Sequence, residues 1–141
     1  MGLDNQFVLK NFKNKELKIV LSKFRNYYEL RDYALRYGEK LETGSEYDRA
    51  FSVKLLLQLK TEVQDIVDIL YSIKPNTLLK YDDEGYPEEL DDLFYGSNFS
   101  PSRSRSRFGG TKLLKLYSSV ENMLGILENN EGFYIVLETS F

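Results

Sequence analysis

Between residues 46 and 73 the apolar side chains fall in steps of three and four. Leu56, Leu59, Val63, Ile66 and Leu70 mark the stripe, and Leu55 and Val67 widen it. That spacing matches the 3.6-residue turn of an α-helix and predicts a long helix whose apolar face lies in a core. The repeat lasts only about two heptads and has no apolar residue at position 52, so a coiled-coil seam is the weaker reading. A second stripe begins at Thr111, with Leu113, Leu116, Tyr117, Val120, Met123, Leu124 and Leu127 on one face. It ends at Asn129, Asn130 and Gly132. Two long amphipathic helices must bury their faces against something, and this requirement organises the rest of the reading.

Shorter signals surround them. QFVLKNF, residues 6 to 12, reads as a strand preceded by the turn formers Asp4 and Asn5. Leu17, Val20, Leu21 and Phe24 sit at i, i+3, i+4 and i+7, which predicts a short helix over 14–25. NYYELRDYALRYG gives a further helix with Tyr27, Leu30, Ala34 and Tyr37 on one face and Gly38 as its stop. Ser45 followed by Asp48 resembles a loose capping box opening the 46–73 helix. Pro75 and Asn76 close that helix, and Pro87 suits the start of a short turn carrying Leu90, Leu93 and Phe94. GFYIVLETSF reads as a closing strand centred on Phe133–Leu137. The expectation is a single domain over 1–141, of predominantly helical α+β class. It is a helical bundle with a small sheet formed by the N- and C-terminal strands, and a flexible acidic then Ser/Arg-rich segment at 80–110 lies inside it. Open edges on such a small sheet suggest a homo-oligomer.

The 141 residues include neither cysteine nor histidine. Thiolate and imidazole metal sites, thiol nucleophiles and the commonest general base are therefore excluded. No pair of carboxylates is singled out for acid–base work. The expectation is no catalytic residue, no metal and no cofactor. A net charge of −3 argues against a coat for long nucleic acid. No run approaches the ~20 apolar residues of a membrane span. The start has neither the shape of a signal peptide nor the Ser or Thr of a myristoylation signal, so a cytoplasmic location is the default.

Within this background SPSRSRSRFGGTKLL, residues 100 to 114, stands out. The start of a helix offers unpaired N–H groups and the positive end of the macrodipole, a favourable place for phosphate. Gly109 and Gly110 allow close approach of a ligand. Arg103, Arg105 and Arg107 supply planar forks, and Lys112 adds a point charge. Ser102, Ser104, Ser106 and Thr111 add hydroxyls. The spacing is not that of a Walker loop, since Lys follows Thr in GGTK. Two readings stand: a site for a phosphate-bearing ligand, and a solvated tether. The acidic run from Asp82 to Asp92 lacks calcium-loop spacing and suits divalent ions, charge mimicry or pairing with the nearby arginines. Tyr27, Tyr28, Arg31, Tyr33, Arg36 and Tyr37 form a third group. Tyrosine and arginine stack on bases, so Tyr28 and Arg31 join the candidate ligand residues, although tyrosines at helical spacing also serve as core.

The opening MGLDNQFVLKN, the segment NYYELRDYALRYG and the closing GFYIVLETSF together resemble a loose group of small phage and prophage proteins that begin MGLDN. The resemblance implies a phage source. Small phage proteins of this size include counter-defence proteins that sequester nucleotide signals of host immunity. The resulting expectation is a non-enzymatic sponge for such a signal, acting in the host cytoplasm. The alternative is a protein-interaction module that binds a host or virion protein through the acidic stretch or the strand edges.

Overall fold

The structure, a computed structural model, describes residues 2–72, 97–99 and 109–141. Within them the chain runs β1 (Asp4–Asn11), β2 (Lys18–Arg25), α1 (Tyr28–Tyr37), β3 (Glu39–Lys40), β4 (Arg49–Phe51), α2 (Val53–Ser72), α3 (Gly109–Asn129) and β5 (Phe133–Ser140). The strands form one antiparallel sheet of five in the order β2-β1-β5-β4-β3.

This is a small α+β fold built on a sheet, and it replaces the expected helical bundle. The terminal segments pair, β1 with β5 from Asp4↔Ser140 to Asn11↔Phe133. They form the middle of a larger sheet rather than a two-stranded ribbon. The predicted helix over 14–25 is instead the edge strand β2. Its register with β1 shifts between Phe7↔Ser22 and Val8↔Val20, a bulge that leaves Leu21 as the extra residue. The bulge breaks the two-residue alternation, so β2 carries an apolar pattern that imitates a helix.

The long helix also starts later than residue 46. The Ser45–Asp48 pair does close a box, since Asp48 N donates to Ser45 O at 3.0 Å and Ser45 N donates to Asp48 Oδ2 at 3.2 Å. That box leads into strand β4, and Ser52 is the true helix cap. Its Oγ accepts from Leu55 N at 3.1 Å while its carbonyl accepts from Leu56 N at 2.9 Å. The second long helix begins at Gly109 rather than Thr111.

The two long helices lie together on one face of the sheet. Leu56, Leu59, Val63, Leu113, Leu116, Val120 and Met123 are fully buried against Phe7, Phe51, Ile135 and Leu137. The stripes therefore do form the core, as their period requires. Helix α1 adds Leu30, Tyr33 and Ala34 to the same core, joined by Tyr27 at its N-terminal cap and by Phe99. Gly38 ends α1 where a Cβ would stand 2.6 Å from both Ala34 O and Arg49 Cβ, so only glycine fits between α1 and β4. On the other face Val8 pairs with Val136 and both are fully buried. Glu138, one row above, reaches toward Lys10 and Lys18, one row below, across this valine pair.

Candidate functional site

A cleft of about 650 Å³ opens at the end of the sheet where β1 begins and β2 and β5 finish. Asp4, Asn5 and Gln6 come from β1, Lys23, Phe24 and Arg25 from β2, and Glu138, Thr139 and Ser140 from β5. Ser45 and Asp48 enter from the turn before β4, and Lys115 from the second turn of α3.

Its floor is a polar network held by the strands. Asn5 is fully buried, donates from Nδ2 to Tyr27 O at 3.0 Å, and accepts from Thr139 Oγ1 at 2.9 Å. Asp48 is also buried, and its two oxygens accept from the backbone N–H groups of Thr139 and Ser45, each at 3.2 Å. Buried polar groups are tolerated when satisfied in this way, and such networks fix geometry. The Asp48 carboxylate is thereby fixed in a structural role.

The wall is cationic. Lys23 and Arg25 flank Phe24 on β2 and form no ion pair among the described residues. Lys115 donates from Nζ to the Lys23 carbonyl, and its ammonium lies 4.8 Å from the centre of the Phe24 ring. Glu138, on the far side, is covered by Lys18 at 2.6 Å, Gln6 at 2.9 Å and Lys10 at 3.6 Å. Burial works to raise its pKa, but the hydrogen bonds from Lys18 and Gln6 and the charges of Lys18 and Lys10 together hold it below its ordinary value of 4.5. Of the lining carboxylates, Asp48 and Glu138 are committed to protein donors, and Asp4 is exposed.

The sequence-derived candidates divide into three groups. Ser102, Arg103, Ser104, Arg105, Ser106 and Arg107 lie outside the described residues, as does the acidic run at 82–92. Gly109, Gly110, Thr111 and Lys112 form the first turn of α3, with both glycines inside the helix and Gly110 buried. Lys112 Nζ donates to Asn26 O at 3.5 Å, which sets this turn against the corner between β2 and α1. Asn26 holds that corner with a left-handed φ of 56°, accepting from Leu3 N through Oδ1 at 3.0 Å. Tyr28 and Arg31 begin α1 just beyond it. Arg31 is engaged locally, bonded to Asp32 Oδ1 at 2.9 Å and stacked 5.3 Å from the Tyr28 ring centre. The turn of α3 and the start of α1 thus meet at Asn26, one residue from Arg25 of the cleft.

Sequence reading missed Asn5, Lys23, Arg25, Lys115 and Thr139. They lie in four separate elements, β1, β2, α3 and β5, and only the packing of these elements joins them. Among the described residues no cluster of three or more acidic side chains is placed to hold a metal ion, and no helix is long and apolar enough to cross a membrane. Comparison with protein-family models, curated proteins and solved structures finds no match to this chain.

Proposed function

We propose that this chain is a non-enzymatic binding protein that captures a small phosphate-bearing ligand in the cleft at the Arg25 end of the sheet. The observation that carries this reading is that Lys23, Arg25 and Lys115 all line one cleft at the end of the sheet, beside the buried polar pair of Asn5 and Thr139. The ligand's phosphates lie against the three cations, where the planar Arg25 fork and the two ammonium groups serve as donors. Its hydroxyl or base donors face Asp4, Ser45 and Ser140, which also line the cleft. A volume of about 650 Å³ matches a nucleotide-sized molecule. The first turn of α3, with Thr111 and Lys112, stands beside the cleft, and residues 102–107 lead into it in the sequence. A nucleotide signal is the most concrete ligand, sequestered by mass action without bond cleavage. The phage resemblance supports that choice, and the lack of histidine and cysteine supports capture over catalysis.

The test is a thermal-shift panel of linear and cyclic nucleotides, followed by mass analysis of the released ligand. The expected result is stabilisation by at least one phosphate-bearing compound, recovered intact, with affinity reduced at least tenfold by Arg25→Ala and by Lys115→Ala. Stabilisation that survives both substitutions places the site elsewhere, and an altered ligand makes the protein an enzyme.

A second reading, an interaction module, draws on the edge strand β2, where Ile19 and Val20 are 45% and 42% exposed. An open edge of this kind accepts another strand, from a partner or a second copy. Silence across the nucleotide panel, together with a concentration-dependent mass in sedimentation that Val20→Lys abolishes, favours this reading over capture.

A further inference from the structure

The opposite end of the same strands carries a second cavity, of about 510 Å³, with different chemistry. Phe12 follows the last residue of β1 and is 65% exposed. It is nevertheless fixed. Its N–H donates to Gly132 O at 2.9 Å, and Gly132 turns the chain into β5 with a φ of +85°. On the other side Asn11 Oδ1 accepts from Lys13 N at 2.8 Å and Asn14 N at 2.9 Å, which locks the turn that follows Phe12. The ring stacks on Tyr134 with centres 4.6 Å apart and planes 29° from parallel. A large aromatic side chain held open to water in a fixed pose is a platform. The cavity is also lined by Ala50, Phe51 and Ile135, and its charged lining residues are Glu39, Lys40 and Glu42. Neither glutamate forms an ion pair among the described residues. The charged lining is therefore net negative, which disfavours phosphate and favours a cation.

We propose that this cavity binds a guanidinium group, stacked on the Phe12–Tyr134 pair and hydrogen-bonded by Glu39 or Glu42. A flat delocalised cation satisfies both walls at once: its face meets the ring quadrupole and its edge presents paired N–H donors to a carboxylate. A compact ammonium matches the carboxylates but stacks less well. This site is independent of the phosphate cleft and uses none of its residues.

The test is an NMR titration of the full chain with N-acetyl-arginine amide, with the lysine and glutamine analogues as controls. A parallel arm uses the capped tripeptide Ala-Arg-Ala. Saturable shifts confined to Phe12, Tyr134 and residues 39–42 are expected for the arginine probe, with weaker response to lysine and none to glutamine. Phe12→Ala, a change at an exposed position, is expected to weaken binding roughly tenfold, and the Glu39→Gln, Glu42→Gln double variant to remove its salt dependence. Tighter binding of the tripeptide identifies an arginine of a partner protein as the source of the cation, and equal binding identifies a free small molecule. Absence of saturable shifts, equal response to glutamine, or wild-type affinity in both variants overturns the proposal. Each variant is checked for an unchanged thermal midpoint, and the Glu39→Gln, Glu42→Gln pair keeps the question open to decision should Phe12→Ala unfold.

Discussion

Glu138 shows how single side chains decide the character of a sheet face. It sits in the middle of β5 with Gln6 beside it and two lysines across the valine row. Fully solvated ion pairs contribute little, but this one is partly shielded and shared among three donors. Because the folded pKa of Glu138 is lowered, its stabilisation is complete above the ordinary value of 4.5. It fades as pH falls through the lower folded value. Glu138→Gln is therefore expected to cost about 1 kcal/mol near pH 7 at low salt. In urea titrations the gap between wild type and variant should close as pH is lowered below 4.5. A gap that stays constant from pH 7 to pH 3 would show that the side chain acts through packing alone.

At the scale of elements, the helices were legible and most of the sheet was not. Spacing alone assigns Leu56, Leu59, Val63, Leu116 and Val120 to the core, because a long amphipathic helix repeats its signal over many turns. Strand β2 reads as a helix because the bulge at Leu21 puts Ser22 and Val20 on opposite faces and spaces its apolar residues like a helix. Strands β3 and β4, with two and three residues, are too short to carry any period. The cleft suffered from the same cause. Arg25 and Thr139 are neighbours only through β1, and no local pattern announces a pairing across more than a hundred residues. What α2 buries is directly testable. Leu59 is fully buried and Leu57 is 51% exposed, only two positions away. Leu59→Ala is expected to lower stability by about 2–5 kcal/mol, whereas Leu57→Ala should stay within about 0.5 kcal/mol. Denaturant melts of the two variants check this, and equal losses would mean that the helix presents another face to the sheet.

At the scale of the molecule, the two chain-terminal strands lie side by side in the interior of the sheet. β5 is inserted between β1 and β4, so it holds β4 and β3 to the rest of the sheet. It also contributes Ile135, Val136 and Leu137, all fully buried, and Thr139 of the cleft floor. The β1–β5 pairing spans the longest sequence separation in the chain, and its loop-closure cost must be met before any of these contacts form. Folding should therefore be all-or-none with respect to β5. Residues 1–129 made alone are expected to lack a cooperative thermal transition, since removing β5 unpairs one side of β1 and exposes the apolar faces of α2 and α3. Addition of a synthetic peptide covering 131–141 should restore both the transition and, if the cleft binds as proposed, ligand-induced stabilisation. The restored midpoint should rise with peptide concentration, as mass action requires of a fragment that binds only the folded form. A 1–129 fragment that melts cooperatively near the full-length midpoint would instead place the folding core in β1, β2 and the helices, with β5 docking as a late and dispensable strand.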